Sequence, residues 1–308
     1  MKKKPLSQRI VNVASVPHRS PFRYPGGKTW LVPLVRQWLA SLAYKPVQFS
    51  EPFAGGAIVG LSVIFENLAE TLTLVERDEN VGAVWQAILN GGAEQLIERI
   101  ASFDMRESTV RQLLSSEPAT LLDRAFATIV RNRVQRGGIM APGASLMKKG
   151  ENGRGISSRW YVQTLIKRIH AIAERKNRIT FFQGDGIQFL RDNAHRSDVV
   201  FFIDPPYTVA GRRLYLHSEI DHHELFRVMT DVKGDFLMTY DNVGPIRALA
   251  AKFHFDTQEV QMKNTHHAIM SELLIGRNLT WFRIQLPQPG DYPLFKDFLR
   301  NGFGGNQT

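Results

Sequence analysis

The spacing of apolar residues changes along the chain between two periods, one typical of strands and one typical of helices. Residues 47–53 are predicted to form a short strand, whereas the apolar residues of 58–65 recur at the spacing of one helix face. Residues 71–75 combine threonine, leucine and valine and are again typical of a strand. This strand–helix–strand order predicts an α/β fold with a doubly wound, Rossmann-like sheet.

Residues 81–135 have only helical periodicity, and residues 136–158 lose all periodicity and mix glycines with basic side chains. Sheet-forming segments then resume. They are predicted at 179–182, 199–203, 236–239 and 272–276.

The α/β pattern is therefore interrupted and not ended. We expect one α/β domain formed by residues 20–90 and 159–285, with a helical and glycine-rich insert at 91–158. A basic, flexible leader at 1–19 and a C-terminal tail at 286–308 are expected to flank it.

The amino-acid composition predicts the chemical class of the protein's partner. Lys and Arg number 39 against 29 Asp and Glu, which gives a formal charge of +10 and favours contact with phosphates. The chain has no cysteine, so disulfides, thiolate metal sites and a cysteine nucleophile are all excluded. The basic N-terminus lacks the apolar stretch of a signal peptide, and no apolar run reaches membrane-spanning length. We expect a cytoplasmic, nucleoid-associated protein.

The sharpest short motif is Asp204-Pro205-Pro206-Tyr207, which directly follows the apolar strand at 199–203. Open α/β sheets bind their ligands at this carboxyl end. The Asp204 carboxylate and the Pro205 carbonyl can accept both hydrogens of an exocyclic amine, and Tyr207 offers a flat face for a flipped base. The alternative is a plain Pro-Pro turn with an exposed tyrosine.

A second motif, from Glu51 through Phe53 to Gly55-Gly56, lies between the first strand and the first helix. Glycines there let a nucleoside approach the backbone closely, although the third glycine of the dinucleotide fingerprint is missing. Asp78 follows the next predicted strand and can accept from a ribose hydroxyl pair, or it caps a helix.

Two further candidates complete the set. Lys28, at the end of Arg23-Tyr24-Pro25-Gly26-Gly27-Lys28, can meet the carboxylate of an amino acid, or it ends a turn as a solvated lysine. Asp185 follows the strand at 179–182 and can accept from an adenine amine, or it caps the next helix.

In content and in order, these motifs resemble those of the Dam-like DNA adenine N6-methyltransferases, over roughly residues 21–283. The resemblance implies S-adenosylmethionine as cofactor and transfer of its methyl group to N6 of an adenine flipped out of the helix. It implies a catalytic set of Asp204, Pro205, Pro206 and Tyr207. It also implies that Tyr24, Lys28, Asp78 and Asp204 line the cofactor pocket. Together with the motif residues described above, the predicted cofactor set is Tyr24, Gly26, Gly27, Lys28, Glu51, Phe53, Gly55, Gly56, Asp78, Asp185 and Asp204.

The insert departs from the family pattern, because Asn132-Arg133 is followed by Gly137-Gly138 where the family has Asn-Gly. No target sequence is therefore carried over. Double-stranded DNA is the expected partner, a cognate restriction endonuclease is a further candidate, and a monomer or weak dimer is expected. The expected DNA contacts are Arg133, Arg136, Gly138, Lys148, Lys149, Arg154 and Arg159.

Three alternatives stay open: methylation of an RNA base, methylation of cytosine N4, and a catalytically silent DNA-binding regulator of the same fold. A metal site is not expected. Asp221-His222-His223-Glu224 has the spacing of a helix capping box, and methyl transfer to an amine needs no metal.

Overall fold

The computed structural model describes residues 16–23, 27–138, 145–148, 150, 153–206, 220–263 and 269–284. The described residues form one seven-stranded sheet with helices on both faces, which confirms the predicted doubly wound α/β fold. None of the described helices is long and apolar enough to cross a lipid bilayer.

The sheet has the strand order β3-β2-β1-β4-β5-β7-β6. Strands β1 to β5 pair in parallel, whereas β7 runs antiparallel to both of its neighbours. The strand order reverses between β1 and β4, and open α/β sheets bind their ligands at such a point. The strands are β1 Gln48–Glu51, β2 Thr71–Glu76, β3 Ile179–Gln183, β4 Val199–Ile203, β5 Phe236–Asp241, β6 Asp256–Lys263 and β7 Ile269–Gly276.

Two hydrophobic cores lie on opposite faces of this sheet, because successive strand side chains point to opposite sides. The helices are α1 Val32–Ser41, α2 Ile58–Phe65, α3 Glu79–Leu89, α4 Ala93–Ser102, α5 Glu107–Ser115, α6 Leu121–Val134, α7 Val162–Ala173, α8 Gly186–Asn193, α9 His222–Asp231, α10 Gly244–Lys252 and α11 Thr280–Arg283. In β4, Val200 and Phe202 belong to the core that α1 to α7 cover, whereas Phe201 belongs to the core that α8 to α10 cover.

The helices of the expected insert do not form a separate core. Leu96, Ile100, Phe126 and Ile129 belong to the same buried cluster as the first strands, and α6 packs along α3. A capping box of Thr120 and Asp123 starts α6. These helices therefore form an outer layer on one face of the sheet, and a role in DNA recognition remains a prediction.

Strand β6 was not predicted from the sequence. Its residues are mostly polar, because it is the edge strand, and Val260 is its buried contribution among the side chains described there. The residues at 221–224 form a helix start, as predicted: the Asp221 carboxylate accepts from the Glu224 amide at 2.9 Å. The Glu224 side chain completes no capping box and instead pairs with Arg191 and Arg227.

Candidate functional site

The carboxyl ends of β1 to β5 meet at one edge of the sheet, which we call the carboxyl edge. Lys28 lies there, buried, at the start of a short turn that leads into α1. Its ammonium nitrogen is 3.3 Å from Oδ1 of Asp204 and 3.2 Å from Oε1 of Glu272. Lys28 thus joins the end of β4 to the antiparallel strand β7.

The charge of Lys28 is set by two opposing effects. Burial acts to lower the pKa of its ammonium, but the carboxylates of Asp204 and Glu272 outweigh burial and raise that pKa above its ordinary value. Lys28 is therefore a charged group with protein partners, and not the solvated lysine of a plain turn. The predicted contact with the carboxylate of a ligand amino acid stays a prediction.

Asp204 is fixed from two sides. Besides the Lys28 ammonium, the hydroxyl of Thr239 on β5 donates to its Oδ1 at 2.8 Å. A quarter of the Asp204 side chain reaches solvent, and Pro205 next to it is buried while Pro206 is partly exposed. The carboxylate is thus held in place and still accessible. Tyr207, the last residue of this motif, lies outside the described residues.

Glu272 was not predicted as a site residue. Its carboxylate is buried in β7, next to the apolar run Leu273-Leu274-Ile275. A carboxylate next to such a run is predicted to be buried with it. A buried carboxylate needs a partner, because burying an unpaired charge is costly. The sequence does not show that this partner is Lys28, which lies 244 residues away in the chain.

The glycine turn between β1 and α2 is held by the elements beside it. The Gly55 amide donates to Oε2 of Glu76 at 2.8 Å, and the Gly55 carbonyl accepts from the indole N–H of Trp85 at 3.0 Å. Gly55 and Ala57 have φ angles of 46° and 48°, in the left-handed region that favours glycine. The turn, which includes Gly56, therefore presents a fixed backbone at the carboxyl edge.

The same turn also contacts α8. A Cβ on Gly186, the first residue of α8, would lie 2.2 Å from the Pro52 carbonyl oxygen and 3.0 Å from the Phe53 ring. Only glycine permits this approach. Phe53 is thus packed against the start of α8, so the turn and this helix lie together at the carboxyl edge.

Two buried acids at the carboxyl edge have pKa values near neutrality. Burial raises the pKa of Glu51 to about 8, against the hydrogen bond from the Gly60 amide, and the nearby Asp204 carboxylate adds to the rise. Burial also raises the pKa of Glu76 to about 7, although the amides of Asp78 and Gly55 donate to its carboxylate. Both acids can therefore change charge when a charged ligand binds.

Asp78 and Asp185 both cap helices, which was the alternative for each. Asp78 accepts from the amides of Asn80 at 2.8 Å and Val81 at 3.4 Å. Asp185 accepts from Ile187 and Gln188, both at 2.9 Å. Their roles toward a ribose and an adenine amine stay predictions.

Sequence reasoning missed Glu76, the last residue of β2. The Glu76 carboxylate binds the glycine turn directly, because it accepts from the Gly55 amide. An acid at the last position of a strand that ends at the carboxyl edge was the signal that could have identified it.

The prediction that Arg133 reads a DNA groove is wrong. Its side chain is 3% exposed and donates to the Pro21 carbonyl, and burial, followed by the charges of Arg168 and Arg23, lowers its pKa to about 9. Helical spacing was the missed signal, because Arg133 lies four residues after Ile129 on the buried face of α6. Gly138 is likewise buried and packs on another residue of the protein.

The other expected DNA contacts are at the surface or outside the described residues. Arg136, Lys148 and Arg154 are exposed, and Arg159 is partly buried. Arg136 and Lys148 flank a short antiparallel pairing, in which Gln135 bridges Leu146 and the Arg136 amide donates to the Ser145 carbonyl at 3.1 Å. We call residues 134–138 and 145–148 the hairpin stem. Tyr24, Gly26 and Lys149 lie outside the described residues.

The described residues contain no cluster of three or more His, Asp or Glu side chains that could hold a metal ion. The fold and the site therefore define a doubly wound α/β protein with an acid-rich carboxyl edge, one buried lysine and a basic hairpin stem.

No protein-family model matches the chain, and no curated protein matches it. Among solved structures, the rRNA methyltransferase aviRa from Streptomyces viridochromogenes is 13% identical, with 80% of this chain and 84% of that chain covered and a TM-score of 0.38. A methyltransferase from Geobacter sulfurreducens is 10% identical, with 83% and 80% covered and a TM-score of 0.37. TrmK of M. capricolum, in complex with S-adenosyl-homocysteine, is 7% identical, with 79% and 68% covered and a TM-score of 0.34.

Proposed function

We propose that this chain is an S-adenosylmethionine-dependent methyltransferase that modifies N6 of adenine in double-stranded DNA. The observation that supports it most is the position of Asp204. Its carboxylate lies at the carboxyl edge, next to the point where the strand order reverses, and Lys28 and Thr239 fix it there. An acceptor held in place before the reaction is what an exocyclic amine requires in its transition state.

The charge of the carboxyl edge fits the proposed cofactor. S-adenosylmethionine carries a sulfonium and an ammonium against one carboxylate, so it is a net cation. Two carboxylates, those of Asp204 and Glu272, share a single ammonium, that of Lys28, in the described part of the edge. The glycine turn at Gly55 and Gly56 would hold the nucleoside part, because backbone without Cβ permits close approach.

When bound, the cofactor supplies an electrophilic methyl group. The protein's own contribution is to orient the amine: the Asp204 carboxylate and the Pro205 carbonyl accept its two hydrogens and turn its lone pair toward the methyl carbon. Methyl transfer would turn the sulfonium into a neutral thioether, and the proton released from the amine would leave to solvent past the partly exposed Asp204. Catalysis then rests on positioning and polar contacts, without a covalent enzyme intermediate.

The exposed cations of the hairpin stem support DNA as the partner. Arg136 and Lys148 lie on its two sides, and Arg154 follows in the chain, so three cations can meet phosphates within one short region. The alternatives of an RNA base or cytosine N4 require the same acceptors, and they are outcomes of the experiment below.

The chain is to be expressed in a bacterium that lacks DNA methylation, followed by direct sequencing of the modified bases in its genome. We expect N6-methyladenine within one short sequence motif. Methylation of cytosine N4 would replace the proposed base, and an unmodified genome from cells that contain active protein would contradict DNA as substrate. An Asp204→Asn variant serves as the control and should leave the genome unmodified.

Neutralising the hairpin stem should reduce the salt dependence of DNA binding. For the double variant Arg136→Gln with Lys148→Gln, we expect the slope of log K against log salt concentration to fall by ~0.9 for each lost phosphate contact, or ~1.8 in total. Fluorescence anisotropy with a labelled duplex between 50 and 200 mM salt, roughly the range over which such slopes are measured, gives this slope. Lys252→Gln on α10 is the matched control and should leave it unchanged; an equal fall for the control would contradict the assignment.

A further inference from the structure

Asn132 connects two parts of the molecule, the segment that leads to Lys28 and the hairpin stem. Its side chain is buried near the end of α6. Oδ1 accepts from the Arg23 amide at 2.8 Å, while Nδ2 donates to the carbonyl oxygens of Arg23 at 2.9 Å and Gly138 at 3.1 Å. We call these three hydrogen bonds the Asn132 clamp. Both amide hydrogens of Asn132 are used, so its side chain cannot turn without losing bonds inside the protein.

Gly138 packs directly on the backbone that Asn132 holds. Its φ angle is 74°, and a Cβ there would lie 2.2 Å from the Arg23 carbonyl oxygen. Only glycine fits this position. The hairpin stem therefore touches Arg23 both through the clamp and by direct contact.

The residues just before Arg23 are also held by their backbone. Arg133 of α6 donates to the Pro21 carbonyl, and Arg168 of α7 donates to the Ser20 carbonyl at 3.2 Å. Residues 20–23 are thus fixed to α6 and α7 by four side-chain-to-backbone hydrogen bonds, two with Asn132 and one each with Arg133 and Arg168. Arg23 precedes Lys28 by five residues, so the segment held by the clamp and the lysine of the carboxyl edge are close neighbours in the chain.

We propose that Asn132 is a positioning residue that couples the hairpin stem to the Lys28 site, so that DNA bound at the stem and cofactor bound at the carboxyl edge strengthen each other. This inference rests on the proposed function. The physical basis is a buried, fully hydrogen-bonded amide between two backbone segments, since moving one segment alone would leave buried polar groups without partners. Coupling of this kind is reciprocal between the two ligands.

The coupling is measured by calorimetric titration of S-adenosyl-homocysteine into the full-length protein, alone and saturated with sheared unmethylated plasmid DNA. For the wild type we expect the dissociation constant to fall at least ~5-fold when DNA is present. For Asn132→Ala we expect weaker binding overall and a ratio close to one. In steady-state assays this variant should raise KM for both ligands more than it lowers kcat, because Asn132 touches no reacting atom.

Thr128→Ala is the matched control. Thr128 is also buried on α6, but its hydroxyl bonds to the Arg124 carbonyl within the helix and to nothing in residues 20–23. This control should keep the wild-type ratio. If Asn132→Ala fails to fold, Gly138→Ala serves instead, because its methyl group enters the same contact from the opposite side. A wild type without coupling, a variant that keeps the ratio, or a control that loses it equally would each overturn the proposal.

The proposed function and the coupling can fail separately. If the wild type binds no S-adenosyl-homocysteine, the proposed function fails. The clamp is then tested by amide hydrogen exchange, where Asn132→Ala should speed exchange in residues 27–31 relative to Thr128→Ala. Equal exchange in the two variants would overturn the link between Asn132 and the Lys28 segment.

Discussion

Replacing Asp204 with asparagine should lower kcat for methyl transfer by about 10²- to 10³-fold, the size expected when one preorganised polar contact to the transition state is lost. The amide keeps the size of the carboxylate, but one of its two polar ends becomes a donor. It can no longer accept from the amine, the Thr239 hydroxyl and the Lys28 ammonium at once. Single-turnover assays with radiolabelled S-adenosylmethionine and unmethylated DNA measure this loss directly.

Asp241→Asn is the matched control for that experiment. Asp241 is the last residue of β5, in the strand next to Asp204, and burial raises the pKa of its carboxyl group while Lys28 lowers it. It has no place in the proposed contact with the amine, so a loss below ~10-fold is expected. An Asp204→Asn variant as active as this control would remove the main support for the proposed chemistry. A fall in cofactor affinity without a fall in kcat would instead place Asp204 in binding alone.

The parts of the fold that sequence predicted are those in which local pattern and tertiary structure agree. Strand β4 is a continuous apolar run because helices cover both of its faces, and β2 alternates threonine with leucine before valine. Strands β1, β2 and β4 are each followed at once by loop residues. A motif that follows such a strand must lie at the carboxyl edge. The positions of Glu51, Asp78 and Asp204 along that edge follow from this rule without any further information.

The parts that sequence did not predict depend on partners that are distant in the chain. Lys28 was interpreted as a ligand contact, but its described partners include Glu272, on a strand that runs opposite to its neighbours. Strand β6 has little apolar signal because it lies at the edge of the sheet. The contact between Lys28 and Glu272 joins residues that are 244 positions apart, and no spacing along the chain records it.

Arg133 and Asp78 show a second limit of sequence analysis. The type of each residue favours a ligand-binding role, whereas its position in or next to a helix favours a structural one. An arginine in a basic region suggests phosphate contact, and an aspartate after a strand suggests a ribose contact. The structure places Arg133 on the buried face of α6, and the Asp78 carboxylate at the start of α3. Helical spacing predicts the burial of Arg133. Capping preference predicts the position of Asp78, because the first amides of every helix need an acceptor.

Replacing Lys28 with methionine should destabilise the protein by about 3 kcal/mol, the lower end of the range for removing one member of a buried ion pair. The variant keeps the length of the side chain but leaves the carboxylates of Asp204 and Glu272 without their shared cation. The lower end applies because a quarter of the Asp204 side chain reaches solvent. Urea unfolding followed by circular dichroism measures the change, and Arg99→Gln, which breaks the surface pair with Asp123, should cost less than ~1 kcal/mol.

The charge of Lys28 is the expected cause of this loss, and a second substitution tests it. The pKa of Lys28 is raised in the folded protein, so its stabilisation is complete below the ordinary lysine value of 10.5 and is lost only as pH rises through the higher folded value. The wild type therefore keeps the ion pairs throughout the neutral range. The double variant Lys28→Met with Glu272→Gln should recover part of the stability at pH 7.5, since one uncompensated charge is gone. No recovery would show that lost packing and not buried charge explains the effect.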